Sequence, residues 1–223
     1  MTSANGEVIS RCWRDPQVAK LFAKADIICA DGQPMVFASR LLYDAPLPER
    51  VATTDLFHDV ARRAEHAGVS FYLFGATEEE NRAACERVQM RYPRLKMVGR
   101  CHGYLAKDAL KRQVAEINER APDILWIGLG VPRQEAFCGR FAAALGNVGV
   151  LKTCGGLFNF LSGRCARAPR WMQEAGLEWM FRVLQEPRRL AWRYALTNPH
   201  AFYLLARTHT LGHAFEARPD PRW

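Results

Sequence analysis

The chain has 223 residues, 49% apolar and 24% charged, with a formal net charge of +8 and a pI near 9.3. That is enough for one full α/β core, and the charge favours an acidic partner: nucleic acid, anionic lipid or a phosphorylated substrate. No secretory signal opens the chain, and no apolar run approaches the ~20 residues of a spanning helix, so the expected location is cytosolic, with any membrane contact peripheral.

In chain order, short apolar runs alternate with helical patterns. Strands are expected at Asp26–Ala30, Ser70–Phe74, Lys96–Gly99, Ile124–Leu129 and Gly149–Thr153, with helices at Asp55–Ala67, Glu78–Met90 and Lys107–Glu119. This alternation predicts an α/β fold: a Rossmann-like, mostly parallel sheet covered by helices on both faces. Asp31-Gly32 follows the first strand, where a carboxylate could act as a general base or cap the next helix. Phe74-Gly75-Ala76-Thr77 leads into three acids, a helix-start signal. Gly128-Leu129-Gly130-Val131-Pro132 and Cys154-Gly155-Gly156 follow later strands, and ligands of open α/β sheets bind outside such carboxyl ends.

After Gly163 the pattern changes. From Arg164 onward there are ten arginines, no lysine and five acids, and four of the six tryptophans (Trp171, Trp179, Trp192, Trp223). Arginine offers a planar fork of donors suited to phosphate. Leu177, Met180, Phe181 and Leu184 keep helical spacing, Glu178, Arg182 and Glu186 stand four apart, and Pro187 breaks or restarts the helix. The expected organisation is an α/β core over 1–163, a helical arginine-rich appendage over 164–217 and a disordered tail over 218–223.

Several chemistries lack their signatures. Gly-x-Gly-x-x-Gly fails because Pro132 and Arg133 occupy its end, which weakens a nicotinamide or flavin site. There is no Walker A and no Asp-x-Asp to hold a metal–diphosphate, so cationic side chains would have to neutralise a departing diphosphate. The seven cysteines form no Cys-x-x-Cys pair, no metal site is expected, and Cys154 reads as a packed thiol. No cofactor is implied.

Taken in order, Asp31-Gly32, Pro48-Glu49-Arg50-Val51 with Asp55, Gly103-Tyr104, Gly128 through Glu135, Gly155-Gly156-Leu157-Phe158-Asn159, Arg167-Ala168-Pro169, and Gly176-Leu177-Glu178-Trp179 through Arg189 resemble the WecG/TagA/CpsF family of bacterial glycosyltransferases. The resemblance spans roughly Ser3 to Arg193. It implies inverting, metal-independent transfer of an N-acetylmannosamine-type sugar from a UDP-sugar to N-acetylglucosamine on a polyprenyl diphosphate, at the inner face of the cell membrane. It implies Asp31 as base and Arg182 and Arg189 at the diphosphate, with Arg193 a third. Ser3, Asn5, Gly32, Arg50, Asp55, Gly130, Gln134, Glu135, Gly155 and Gly156 would bind substrate. A homo-oligomer is a further expectation, and nucleic acid is not an expected partner.

The chain departs from the family pattern in places. Met1 falls almost on the Thr-x-Asn segment, here Ser3-Ala4-Asn5, so an N-terminal strand and helix are expected to be missing. Thr53-Thr54 replaces a glycine-containing approach to Asp55, Asn159 stands where aspartate is frequent, and Trp192 occupies the place expected for the last appendage arginine. Competing readings are a basic nucleic-acid-binding module, disfavoured by the lack of any such motif, and a nucleotide-sugar-modifying Rossmann-like enzyme.

Overall fold

The computed structural model describes residues 1–215, with side chains except those of Arg189 and residues 208–215. The expected tail over 218–223 lies outside the described residues. In chain order the elements are β1 (Thr2–Ala4), α1 (Gly6–Arg14), α2 (Pro16–Phe22), β2 (Ile28–Ala30), α3 (Gln33–Leu42), α4 (Thr53–Ala67), β3 (Ser70–Gly75), α5 (Glu78–Arg91), β4 (Lys96–Cys101), α6 (Lys107–Arg120), β5 (Ile124–Gly128) and α7 (Arg133–Phe141). A 3₁₀ turn (Ala142–Leu145) follows, then β6 (Val150–Thr153), α8 (Leu157–Leu161), α9 (Arg170–Glu174), α10 (Glu178–Gln185) and α11 (Pro187–Phe215). All five expected strands form, with ends within about two residues of expectation, as fraying allows.

The chain forms two compact units, each discontinuous in sequence. The first gathers Met1–Ser3, Lys20–Cys29 and Ala52–Arg167. Its centre is a parallel sheet in the order β4-β3-β5-β6. Because successive strand residues face opposite ways, Phe71, Leu73 and Trp126 pack on one face against Phe57, Ala61, Ala84, Val88 and Phe158 of α4, α5 and α8. Tyr72, Phe74, Leu125 and Ile127 pack on the other against Val114, Ile117 and Phe137 of α6 and α7. This is the α/β fold that the alternation predicts. Thr77 caps α5 in a reciprocal capping box with Glu80, each satisfying a helix-end donor. The N-terminal residue joins the sheet edge: the Met1 ammonium donates to Leu151 O at 3.0 Å, and Thr153 N–H donates to Met1 O at 3.2 Å.

The second unit gathers Ala4–Ala19, Ala30–Val51 and the chain from Ala168 onward, and it is mainly helical. α11 starts at Pro187, a residue suited to a first helical turn, directly after α10 ends. Leu190, Ala201 and Leu204 of α11 are buried. Gly6 of α1 lies against Ala201, and Ser10 Oγ lies 2.8 Å from His200 Nδ1. The Leu177-Met180-Phe181-Leu184 stripe is only partly covered: Leu177 and Phe181 are half-buried, while Met180 is exposed and Leu184 is 73% exposed. Trp192 is equally exposed and Trp171 nearly so. No helix among the described residues is long and apolar enough to cross a membrane.

Candidate active site

In the helical unit, backbone hydrogen bonds set Asp31 beside Arg50. Asp31 N–H donates to Ala4 O, and Val51 N–H donates to Ala30 O, both at 2.8 Å. This pins the residue after β2 and the residue after Arg50 to adjacent stretches of chain. The Arg50 Nη2 then stands 3.9 Å from Asp31 Oδ1 and 2.6 Å from Glu178 Oε2. The three side chains are partly accessible, at 24% for Asp31, 15% for Arg50 and 13% for Glu178. The Arg50 Nε is buried and has no hydrogen-bond partner among the described residues. Gly32 caps α3 in an extended conformation, and a Cβ there would meet only ordinary contacts with Asn5 and Met35.

Asn5 caps α1, its side-chain oxygen accepting from Val8 N–H at 3.2 Å. Two turns of chain chemistry follow from that helix. Glu7 accepts from Arg11 through one oxygen and pairs with Arg193 through the other, each at 3.0 Å. Arg193 also stacks over Tyr194 at 4.8 Å. Arg193 is thus engaged by a carboxylate and a ring. Arg182 lies on α10, four residues beyond Glu178. Arg189 lies on α11, and its side chain falls outside the described residues.

The sheet unit carries a second polar cluster at the carboxyl ends of β5 and β6. Gln134 and Glu135 open α7 and are buried, at 3% and 4% exposure. Gln134 is held at both ends of its amide: Oε1 accepts from Gly155 N–H at 2.9 Å, and Nε2 donates to Glu135 Oε1 at 2.8 Å. Thr2 Oγ1 donates to the same Glu135 oxygen and lies 2.7 Å from Thr153 Oγ1. Burial pushes the Glu135 carboxyl above the usual range, against the lowering effect of these donors. Its Oε2 has no hydrogen-bond partner among the described residues. Lys152, 1% exposed, donates through Nζ to Ser3 Oγ at 2.7 Å and to Thr153 O at 3.0 Å, and Ser3 Oγ lies 3.1 Å from Thr53 Oγ1.

The loops around this cluster depend on glycine. Gly130 and Gly155 adopt left-handed conformations, with φ of +76° and +53° and nothing within 4 Å of a built Cβ. A side chain at either would be strained although space is open. Gly156 caps α8 directly after. Asp55, in the first turn of α4, accepts both ends of the Arg167 guanidinium, at 3.0 and 3.1 Å. Cys154 is buried and its thiol is pushed by burial up to about 12, which removes thiolate chemistry at neutral pH. No disulfide joins any of the seven cysteines. Among the described residues, no group of three or more His, Cys, Asp or Glu is placed to hold a metal ion.

The structure therefore brings Asp31 and Arg50 together in one unit, and Ser3, Gln134, Glu135 and Gly155 into one cluster in the other. It does not tie Arg193 to Asp31 or Arg50 by any described contact; Glu7 has it. Sequence reading missed Glu178 as a partner of Arg50, and it missed Thr2, Lys152 and Thr153. Lys152 did leave a signal: it is the one charged residue within the run Val150-Leu151-Lys152-Thr153. Glu178 left none, because helical spacing points it at Arg182.

Comparison with known proteins agrees with the motif order. The sequence profile of the glycosyl transferase WecG/TagA/CpsF family matches residues 1–214. A protein of Bacillus spizizenii named N-acetylglucosaminyldiphosphoundecaprenol N-acetyl-beta-D-mannosaminyltransferase is 32% identical over 200 residues, covering 89% of this chain and 75% of that one. A protein of the same name from Bacillus subtilis (strain 168) is 27% identical over 221 residues, covering 99% of this chain and 84% of its own.

Proposed function

Because the chain belongs to the WecG/TagA/CpsF glycosyl transferase family and is a glycosyltransferase, we propose that it moves an N-acetylmannosamine-type sugar from a UDP-sugar to an N-acetylglucosamine carried on undecaprenyl diphosphate. The relatives' names supply the sugar and the acceptor. The observation that carries the chemistry is Asp31: a partly accessible carboxylate after a strand's carboxyl end, with an arginine 3.9 Å away.

Asp31 takes the proton from the acceptor sugar hydroxyl as that oxygen attacks the anomeric carbon. The bond from that carbon to the UDP oxygen breaks on the opposite face, so configuration inverts and the diphosphate leaves with the electron pair. Arg182 and Arg189 stabilise the charge that develops there, in place of a metal ion. Arg193 is a weaker candidate because Glu7 and Tyr194 hold it. Asn5, Gly32 and Arg50 line the acceptor's approach. Ser3, Asp55, Gly130, Gln134, Glu135, Gly155 and Gly156 position the donor: the fixed Gln134 amide holds the Gly155 loop in place, where backbone approaches the ligand closely. Reaction occurs at the inner face of the membrane. Exposed Trp171, Leu184 and Trp192, interleaved with arginines, support peripheral contact with an anionic surface.

The test is transfer from a panel of UDP-sugars to a synthetic diphosphate-lipid acceptor, followed by mass detection, for the wild type and Asp31→Asn with and without excess chelator. The expected result is product from UDP-N-acetylmannosamine with the wild type, unchanged by chelator, and a rate about 10²–10⁴-fold lower from a folded Asp31→Asn. Wild-type turnover by Asp31→Asn would remove the base assignment, and loss of activity in chelator would remove metal independence.

A further inference from the structure

Glu178 sits in the arginine-rich segment, yet its carboxylate does not serve that segment alone. It receives a 2.6 Å hydrogen bond from Arg50, 128 residues away in sequence. The same Nη2 atom stands 3.9 Å from Asp31. One guanidinium thus faces two carboxylates and is bound closely to the one that the proposed chemistry does not use. The geometry is asymmetric in a meaningful way. At 2.6 Å the Glu178 contact is a short charge-assisted hydrogen bond. At 3.9 Å the Asp31 contact is within ion-pair reach but beyond hydrogen-bond distance.

A general base must accept a proton, and an arginine bound directly to it opposes that step by stabilising the carboxylate. The backbone does not keep Arg50 away: the Val51–Ala30 and Asp31–Ala4 hydrogen bonds bring the two residues alongside each other. What takes up the guanidinium is the Glu178 carboxylate. The buried Nε of Arg50 makes no further hydrogen bond to the described residues, so the Nη2 contact to Glu178 is the closest described tether on this end of the fork.

We infer that Glu178 is a positioning residue for the transfer reaction: by binding Arg50 it holds that guanidinium beyond hydrogen-bond distance of Asp31, so that this arginine opposes protonation of Asp31 less than a direct hydrogen bond would. This rests on Asp31 being the base. Loss of Glu178 would let Arg50 close onto Asp31.

Steady-state transfer by the full chain tests it with four variants: Glu178→Gln, Glu178→Asp, Arg50→Gln and the double variant Arg50→Gln/Glu178→Gln. Glu178→Gln is expected to lower kcat by roughly tenfold or more, with donor and acceptor KM within about twofold, and Glu178→Asp is expected to retain most of the lost rate. The distinguishing readout is suppression. Removing the guanidinium as well should raise kcat several-fold above that of Glu178→Gln at an unchanged melting temperature, whereas a merely structural pair would recover its melting temperature together with its kcat. If Glu178→Gln does not fold, the charge-balanced double variant is compared with Arg50→Gln, and equal kcat is expected. Wild-type kcat in Glu178→Gln, a double variant no faster than Glu178→Gln, or a double variant slower than Arg50→Gln would each overturn the inference. So would an Arg50→Gln variant without turnover, because the guanidinium would then act in the step itself. The base assignment is tested separately and fails if a folded Asp31→Asn keeps its activity.

Discussion

The two units hold carboxylates in opposite ways. In the sheet unit, Glu135 is buried among neutral donors, Thr2 and Gln134, and burial pushes its carboxyl towards the protonated form. In the helical unit, Asp31 and Glu178 remain partly open to solvent and share one arginine. A carboxylate enclosed by hydroxyls and an amide organises its neighbours, since each donor has a fixed direction and water cannot replace it. A partly accessible carboxylate beside a guanidinium is positioned to exchange a proton with a ligand. The first arrangement builds the frame on which loops 130 and 155 rest, and the second is where chemistry is expected.

Substitutions in the two units should separate these arrangements. The largest effect should come from Asp31→Asn, which removes the base and lowers turnover by about 10²–10⁴-fold while the melting temperature is kept. An equal loss of stability would show that Asp31 is part of the frame instead. Next is Thr153→Val in the sheet unit. It deletes the hydroxyl 2.7 Å from Thr2, whose buried oxygen then keeps only its bond to Glu135, at a cost of about 1–3 kcal/mol in denaturant unfolding, with kcat retained in the folded fraction.

Glu135→Gln is smaller and is decided by sign. A carboxyl raised by burial favours the folded state when protonated, so its contribution is present at low pH and is lost as pH rises through the raised range. Glutamine is neutral throughout. The stability of Glu135→Gln relative to wild type should therefore be flat below the ordinary glutamate range, near about pH 4, and should improve as pH rises above it. A difference independent of pH would mean that the carboxyl has the same pKa folded and unfolded, and one that worsens as pH rises would mean that the cluster holds it ionised. The smallest effect belongs to Arg170→Ala. Arg170 is 91% exposed and pairs with Glu174 at 67% exposure, so stability should move by no more than about 0.5 kcal/mol and turnover should not change. That result would separate structural arginines of the segment from those that meet a diphosphate.

Much of this was legible in the linear chain. Ser70–Phe74 and Ile124–Leu129 are apolar runs ending at glycine, and they form adjacent central strands because both faces of a parallel sheet are buried. Thr77 followed by Glu80 encodes its own helix start. Asp31 was legible from its place after a strand, and the ordered motifs pointed to the family. The companions of these residues were not legible. β1 is Thr2-Ser3-Ala4, with no apolar run, and it exists because neighbouring strands offer free backbone groups. Spacing along α10 aims Glu178 at Arg182, yet it reaches Arg50.

Sequence alone determined most of the strand–helix order, the Thr77 cap, the arginine-rich segment and the family, since each depends on periodicity or motif within a short stretch. Only the tertiary structure decided that Arg50 meets Glu178 across 128 residues, that Lys152 reaches Ser3 across 149, and that three separate stretches of chain make each compact unit. The physical reason is that ion pairs and hydrogen bonds depend on separation in space over a few ångströms, whereas sequence patterns record separation along the chain. The two coincide within a helix turn or a strand, and they part wherever distant segments pack side by side.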